Sequence, residues 1–205
     1  MRNKTLYLWD LANTLFPEEW DKKTGFENFD EYVKSLGYDL KNISPLDYER
    51  CYEKPYRKGL FKLKIADGFQ EVLSWTKENE VFTTGIREQV DWRAENFLSR
   101  GLFDIKPYLK KINTTFDFAN TNKKDEKIIK FLFKKKIKEG YNEIVYTDDK
   151  LENCLLFRGV GKKIKNLKLR VYNLKNDNLG IRKKKDYWEI GNLYDLLENE
   201  KKLRI

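Results

Sequence analysis

Short β-prone runs, several ending on an aspartate or on hydroxyl residues before a glycine, alternate along this chain with stretches of helical periodicity. The runs are 5–9, ending at Asp10; 81–84, ending at Gly85; a weak one around Ile112; 143–147, running into Asp148-Asp149; and 167–174. Between them, Gly68 opens a stretch with Phe69, Val72, Leu73 and Thr76 on one face. Val90, Ala94, Phe97 and Leu98 mark a second helix, which Gly101 stops. Asp125 starts a third, its carboxylate suited to the positive N-terminal end, with Ile128, Ile129, Leu132, Phe133 and Ile137 as its apolar stripe and Gly140 at its end. Further helices are read at 151–159 and around Leu193, Leu196 and Leu197. Strands separated by helices build βαβ units, so the expected fold is α/β: a Rossmann-like parallel sheet sandwiched by helices. Sheets of this kind bind ligands at the carboxyl ends of their strands, which makes the strand-end residues the informative ones.

One segment breaks the alternation. Residues 17–66 are polar, aromatic and acidic, with helix-length pieces at 27–36 and 45–58. Residues 16–53 alone carry ten Asp or Glu against five Lys or Arg. This reads as a small helical insert between two parts of one core, 1–16 and 67–205; a 205-residue chain suits one domain with such an insert. The formal net charge is +9, and residues 161–186 hold ten Lys or Arg and two Asp. Within that segment, 175–186 read as a basic loop. Such a patch predicts loose, salt-sensitive contact with nucleic acid, with Tyr172, Tyr187 and Trp188 near enough to stack on bases, although such aromatics more often belong to a core or an edge. A solvated lysine-rich surface is the plainer alternative.

Composition removes whole classes of chemistry. The chain has no histidine, which excludes Ser-His-Asp and Cys-His catalysis and histidine metal sites. Its two cysteines, Cys51 and Cys154, cannot make a four-thiolate zinc site and do not suggest a disulfide framework. A reducing cytoplasm is the expected location. No apolar run approaches a membrane span, and residues 1–11 lack the pattern of a signal peptide. Catalysis is left to Asp, Glu, Lys, Ser, Thr or Tyr, with a hard metal ion as the natural helper.

The strand ends supply such a set. Asp10, Asp148 and Asp149 gathered at one sheet edge would repel one another, and a hard cation such as magnesium resolves this by taking carboxylate, water and phosphate oxygens. The Thr83 hydroxyl, the amides of Thr84 and Gly85, and Lys123 or Lys124 suit phosphoryl oxygens. An aspartate can also attack phosphorus to form a covalent intermediate. Singly, each residue has a plainer reading as a helix cap, a turn or a solvated side chain.

Four motifs in order resemble the haloacid dehalogenase superfamily of Rossmann-like hydrolases: LYLWDLANTLF (6–16), VFTTG (81–85) with IREQVDWRAENFLSRGLFD after it, NKKDEKII (122–129) and IVYTDDKLEN (144–153). The resemblance implies Asp10 as nucleophile and magnesium ligand, the backbone carbonyl of Ala12 as a second ligand, and Asp149 as a third, with Asp148 assisting. It implies Thr83 as a phosphoryl ligand and a motif-three lysine. Lys123 is the better match, because Lys124 then takes the family's usual proline position; Lys124 competes. Residues 17–66 take the place of the family's cap, which closes over the site and selects a small phosphorylated substrate.

The chain departs from the family's phosphatases at Ala12, where they carry a second aspartate that protonates the leaving group and activates water. Loss of such a group typically costs 10²–10⁴-fold. Three readings follow: a phosphate-ester hydrolase of reduced or specialised activity, its proton coming from the cap or the substrate; a phosphonate-cleaving relative, which needs a cap lysine such as Lys34, Lys54 or Lys58; and an inactive relative that binds a phosphorylated ligand or nucleic acid. The haloacid-cleaving branch ranks last, since it usually carries Tyr at this position.

Overall fold

The computed structural model describes residues 4–99, 104, 106–177 and 180–204, and the side chains of all of these but 96–99. Along the chain run β1 (Thr5–Trp9), β2 (Glu18–Trp20), α1 (Phe29–Ser35), α2 (Pro45–Arg50), α3 (Glu53–Arg57), β3 (Phe61–Leu63), α4 (Phe69–Trp75), β4 (Asn79–Thr83), α5 (Arg87–Ser99) and β5 (Lys111–Thr114). The second half adds α6 (Glu126–Lys138), β6 (Glu143–Asp148), α7 (Leu151–Lys162), β7 (Lys168–Leu174), β8 (Arg182–Lys183), β9 (Trp188–Ile190) and α8 (Leu193–Leu203). Seven strands form one sheet in the order β5-β4-β1-β6-β7-β9-β8. All neighbours pair in parallel except β8 and β9. This is the α/β, Rossmann-like sheet that the alternation of runs predicts.

The alternation of side chains along β1 decides which way the site faces. Leu6 and Leu8 join Phe82, Ile144, Tyr146, Phe157 and the stripe of α6 on one face. Tyr7 and Trp9 join Val81, Val145, Val72, Val90 and Leu193 on the other. Asp10 continues the Leu6–Leu8 series, so by this parity it belongs to the face of α6 and α7. Each of these apolar side chains is almost wholly withdrawn from water, a transfer worth roughly 1.5–3 kcal/mol for a residue of this size. Gly68 shows how closely the other face is packed. It holds φ +82°, and a Cβ there would lie 2.6 Å from the backbone nitrogen of Tyr194.

Several expectations need correction. The 17–66 insert is not purely helical: β2 and β3 pair antiparallel and close its ends together. Strand-prone Trp20 and Phe61 face each other there, their rings 4.7 Å apart. The insert also lacks a separate core. Phe29, Tyr32, Tyr52 and Phe61 belong to the same apolar cluster as Phe16, Phe69 and Val90, and Tyr52 and Tyr56 abut Trp92 of α5 edge-on. The expected loop 175–186 contains β8, and β9 follows it at once.

In α6 the stripe ends on Lys136 rather than Ile137: Lys136 is buried and Ile137 exposed. The reason is the helical period. Lys136 lies one heptad after Ile129, which brings it back to within about 20° of that residue, whereas Ile137 is a further residue round the helix. Asp125 stands just before α6 rather than in its first turn and caps it, its Oδ1 accepting from the Ile128 amide at 2.8 Å. Gly101, and the side chains of Phe97 and Leu98, lie outside the described residues. Both cysteines are free, Cys154 buried and Cys51 half-buried. Tyr172 is a core residue with Trp188 stacked near it. Among the described residues no helix is long and apolar enough to cross a membrane.

Candidate functional site

Parallel pairing puts the ends of β4, β1 and β6 side by side. The Asp10 amide donates to the Thr147 carbonyl at 2.9 Å, which fixes the turn out of β1 against β6. Beyond Asp10 the chain folds back on itself through Asn13, a non-glycine residue in the left-handed region at φ +57°. Asparagine is among the few residues that tolerate this conformation. The Thr14 hydroxyl then accepts from the Asp149 amide at 3.0 Å, tying this turn to the end of β6.

The three aspartates meet here. Oxygen atoms of Asp10, Asp148 and Asp149 all lie within 4.8 Å of one another, with Asp10 and Asp148 buried and Asp149 half-buried. Burial pushes the Asp10 carboxyl up to about 6; Lys124 pulls it down, and Asp148 adds to the rise. Asp149 is pushed up to about 7 by burial and by the charges of Asp10 and Asp148. Such a cluster of hard oxygen donors with mutual repulsion is what a hard divalent cation relieves, so the donor set fits magnesium.

The lysine that answers these charges is Lys124, not Lys123. Lys124 is buried, and its Nζ donates to Asp10, to Asp148 at 2.8 Å and to the Tyr146 hydroxyl at 2.9 Å. Burial works against its charge, but the two aspartates outweigh it and hold its pKa above the ordinary lysine value. The Lys123 side chain is exposed, while its amide donates to the Thr121 hydroxyl at 3.1 Å, a turn that carries the chain into position 124. Of the two lysines the sequence offers, the structure brings Lys124, rather than the favoured Lys123, to the aspartates.

The remaining expected residues line the β4 end. Thr83 is buried, and its Oγ1 accepts from the Gly85 amide at 3.3 Å. Thr84 and Gly85 are half-buried, and the Thr84 carbonyl accepts from the Thr115 hydroxyl at 3.5 Å. Asp148 carries more than a metal-assisting role would need. Its Oδ2 accepts from Lys124, the Tyr146 hydroxyl and Asn153, and its Oδ1 from the Lys150 amide at 2.8 Å. Lys34, Lys54 and Lys58 are all exposed.

Sequence reasoning missed Tyr146 and Glu49. Tyr146 carried a readable signal: two residues before Asp148 on one strand, it must share that residue's face. Its ring lies flat on Phe157, centroids 3.5 Å apart. Glu49 came from the far side of the insert and carried no local signal. It is buried at the Gly85 turn, its Oε2 3.7 Å from where a Cβ on Gly85 would stand.

The basic segment is partly neutralised. Lys162 pairs with Asp186, Lys163 with Glu126, Arg170 with Glu143 and Glu200, and Arg182 and Lys184 with Glu189.

The fold is the α/β, Rossmann-like one shared with solved structures of haloacid-dehalogenase-type proteins. Among solved structures, the chain is similar to the HAD family enzyme BT-2542 of Bacteroides thetaiotaomicron, at 14% identity and a TM-score of 0.53, over 84% of this chain and 95% of that one. It is also similar to the UTR4 protein of Saccharomyces cerevisiae, at 11% identity and a TM-score of 0.54, over 93% of this chain and 98% of that one. No protein-family model matches the sequence, and no curated protein matches it.

Proposed function

We propose that the chain is a magnesium-dependent hydrolase of phosphate esters, working through an aspartyl-phosphate on Asp10. The observation that carries this reading is the buried pair of Lys124 with Asp10 and Asp148, set inside a three-carboxylate cluster at the carboxyl ends of a parallel sheet. Asp10, Asp149 and the Ala12 carbonyl would hold the magnesium, with Asp148 assisting. When bound, the metal supplies charge neutralisation for the phosphoryl oxygens.

The chain's own groups do the rest. One Asp10 oxygen attacks phosphorus while the ester oxygen leaves; water then cleaves the acyl phosphate and frees Asp10. Lys124 keeps Asp10 ionised and oriented, and its charge lowers the cost of bringing an anion to a carboxylate. Thr83 and the amides of Thr84 and Gly85 receive the phosphoryl oxygens. Residues 17–66, packed on α5, act as the cap that excludes water and selects the small phosphorylated substrate.

The exposure of Lys34, Lys54 and Lys58 gives a phosphonate-cleaving Schiff-base reaction no support, because an amine of that kind works desolvated. The pairing of half the basic residues in 161–186 leaves a nucleic-acid contact weak. Neutralising 182–185 is expected to change duplex DNA affinity less than twofold at physiological salt, measured by fluorescence anisotropy; a tenfold loss would reinstate a nucleic-acid partner.

The test is turnover on a panel of phosphate monoesters and phosphonates with and without magnesium, with Ala12→Asp alongside wild type. Wild type is expected to release phosphate only with the metal. A silent wild type beside an active Ala12→Asp would assign the chain to binding a phosphorylated ligand rather than cleaving it. Two silent, folded proteins would end the phosphate-ester reading.

A further inference from the structure

The proposed reaction leaves one atom unaccounted for. Expelling an alkoxide from phosphorus requires a proton, and residue 12, beside the nucleophile, is an alanine. The other groups of the site are committed. Asp10 is the attacking oxygen, Lys124 is shared by two aspartates, Asp148 accepts four hydrogen bonds, and Asp149 belongs to the metal set.

Glu49 stands apart from that set. It lies in α2 of the insert and is only 6% exposed. Its Oε2 and the Thr83 Oγ1 flank the same point, 3.7 and 3.8 Å from where a Cβ on Gly85 would stand. The Gln89 side-chain amide of α5 donates to the Glu49 backbone carbonyl, and Gln89 and Asn122, two residues before Lys124, act on the Glu49 carboxyl to lower its pKa. Glu49 therefore stands at the β4 turn that would hold the phosphoryl group. A cleft of about 280 Å³, lined among others by Leu46, Glu49, Ile86, Gln89 and Trp92, opens between α2 and α5 beside Glu49.

Taking the hydrolase reading as its basis, we infer that Glu49 is the acid and base of the reaction, donated by the cap in place of the group missing at Ala12. In the first half, the P–O bond to the leaving group breaks as the Asp10 oxygen bonds to phosphorus. The Glu49 proton passes to the leaving oxygen, releasing an alcohol and a Glu49 carboxylate. In the second half, that carboxylate takes a proton from water as the water oxygen bonds to phosphorus. The acyl-phosphate bond breaks, Asp10 is freed, inorganic phosphate departs and Glu49 is again protonated.

The surroundings suit a group that must change protonation at neutral pH. Burial pushes the Glu49 carboxyl up to about 7. Arg93 of α5, Gln89 and Asn122 pull it down, and Glu18 of β2 pushes it further up. Arg93 is itself shared, lying 3.6 Å from Glu18 and over the Tyr52 ring, so its charge is not spent on Glu49 alone. A general acid works best with a pKa near the working pH.

The test compares an alkyl phosphate, whose leaving oxygen needs a proton, with p-nitrophenyl phosphate, whose leaving group does not. With magnesium, Glu49→Gln is expected to lose 10²–10⁴-fold in alkyl phosphate turnover. It should still release about one equivalent of p-nitrophenolate per enzyme in a first-turnover burst. In wild type, alkyl turnover should fall as pH rises through about 7, and Glu49→Gln should lose that limb. Adding Ala12→Asp to Glu49→Gln should restore alkyl turnover at least tenfold. Equal loss of the first turnover on both esters would mean a structural role and overturn the assignment, as would alkyl turnover within threefold of wild type. Wild type that cleaves neither ester would overturn the hydrolase reading itself, and this assignment with it. That result is recognisable because it needs no variant.

Discussion

Asp10→Asn is expected to abolish phosphate-ester turnover while leaving the protein folded. The loss should be on the order of 10⁴-fold or more, the scale seen when a covalent catalyst loses its nucleophile. The variant should melt no lower than wild type without metal, because it removes one of three clustered like charges and keeps the side chain's shape. Lys124 retains Asp148 and Tyr146 as partners in that variant. The neighbouring lysines give the contrast that locates the chemistry. Lys124→Met should cost about 10²–10³-fold in kcat, as removal of one positioned charge stabiliser does. Lys123→Met, at an exposed side chain, should stay within twofold. Phosphate release and thermal melting, measured on the same preparations, decide it. Residual turnover above a hundredth of wild type in Asp10→Asn would remove Asp10 from the covalent role. Equal losses at 123 and 124 would remove Lys124 from its own.

The order of strands and helices was legible because each rests on local chemistry. The β1 run, the helix start at Asp125 and the stripe of Ile128, Ile129, Leu132 and Phe133 each follow from side chains a few residues apart. The three aspartates were legible for the same reason, since each ends or follows a strand-like run. What could not be read depended on where separate segments come to rest. Whether position 123 or 124 faces Asp10 is set by the turn through Thr121, a matter of backbone direction that a motif spacing does not encode. β2 and β3 are three residues each and about forty apart, so their pairing exists only once the insert's aromatics have packed. Glu49 reads as one acid among ten until α2 meets α5. Tyr146 was the avoidable miss, because the two-residue period of a strand already placed it with Asp148.

Lys136 carries the other large effect, on stability. A lysine at a core position is usually a surface residue misjudged, yet this one is fully buried on the inner face of α6. Its Nζ lies 2.5 Å from Glu80 on β4 and 2.9 Å from Glu139. Glu80 also accepts from Asn113 of β5 at 3.0 Å, so the lysine and the asparagine between them satisfy a buried carboxylate. Removing the lysine alone leaves that charge in a low-dielectric interior, whereas Glu139 is partly exposed and turns to water. Breaking one side of such a pair costs about 3–5 kcal/mol, while replacing both sides with groups of similar volume is often neutral. Lys136→Met is therefore expected to lower stability in urea by that amount and Tm by on the order of 10 °C for a domain of this size. Lys136→Met combined with Glu80→Gln should recover more than half of the loss, since the amide needs no counter-charge. Turnover per folded molecule should be unchanged in both, because this pair sits at the far end of α6 from Lys124. A single variant within 0.5 kcal/mol of wild type, or a double variant worse than the single, would show that the pair is not what holds α6 to the sheet.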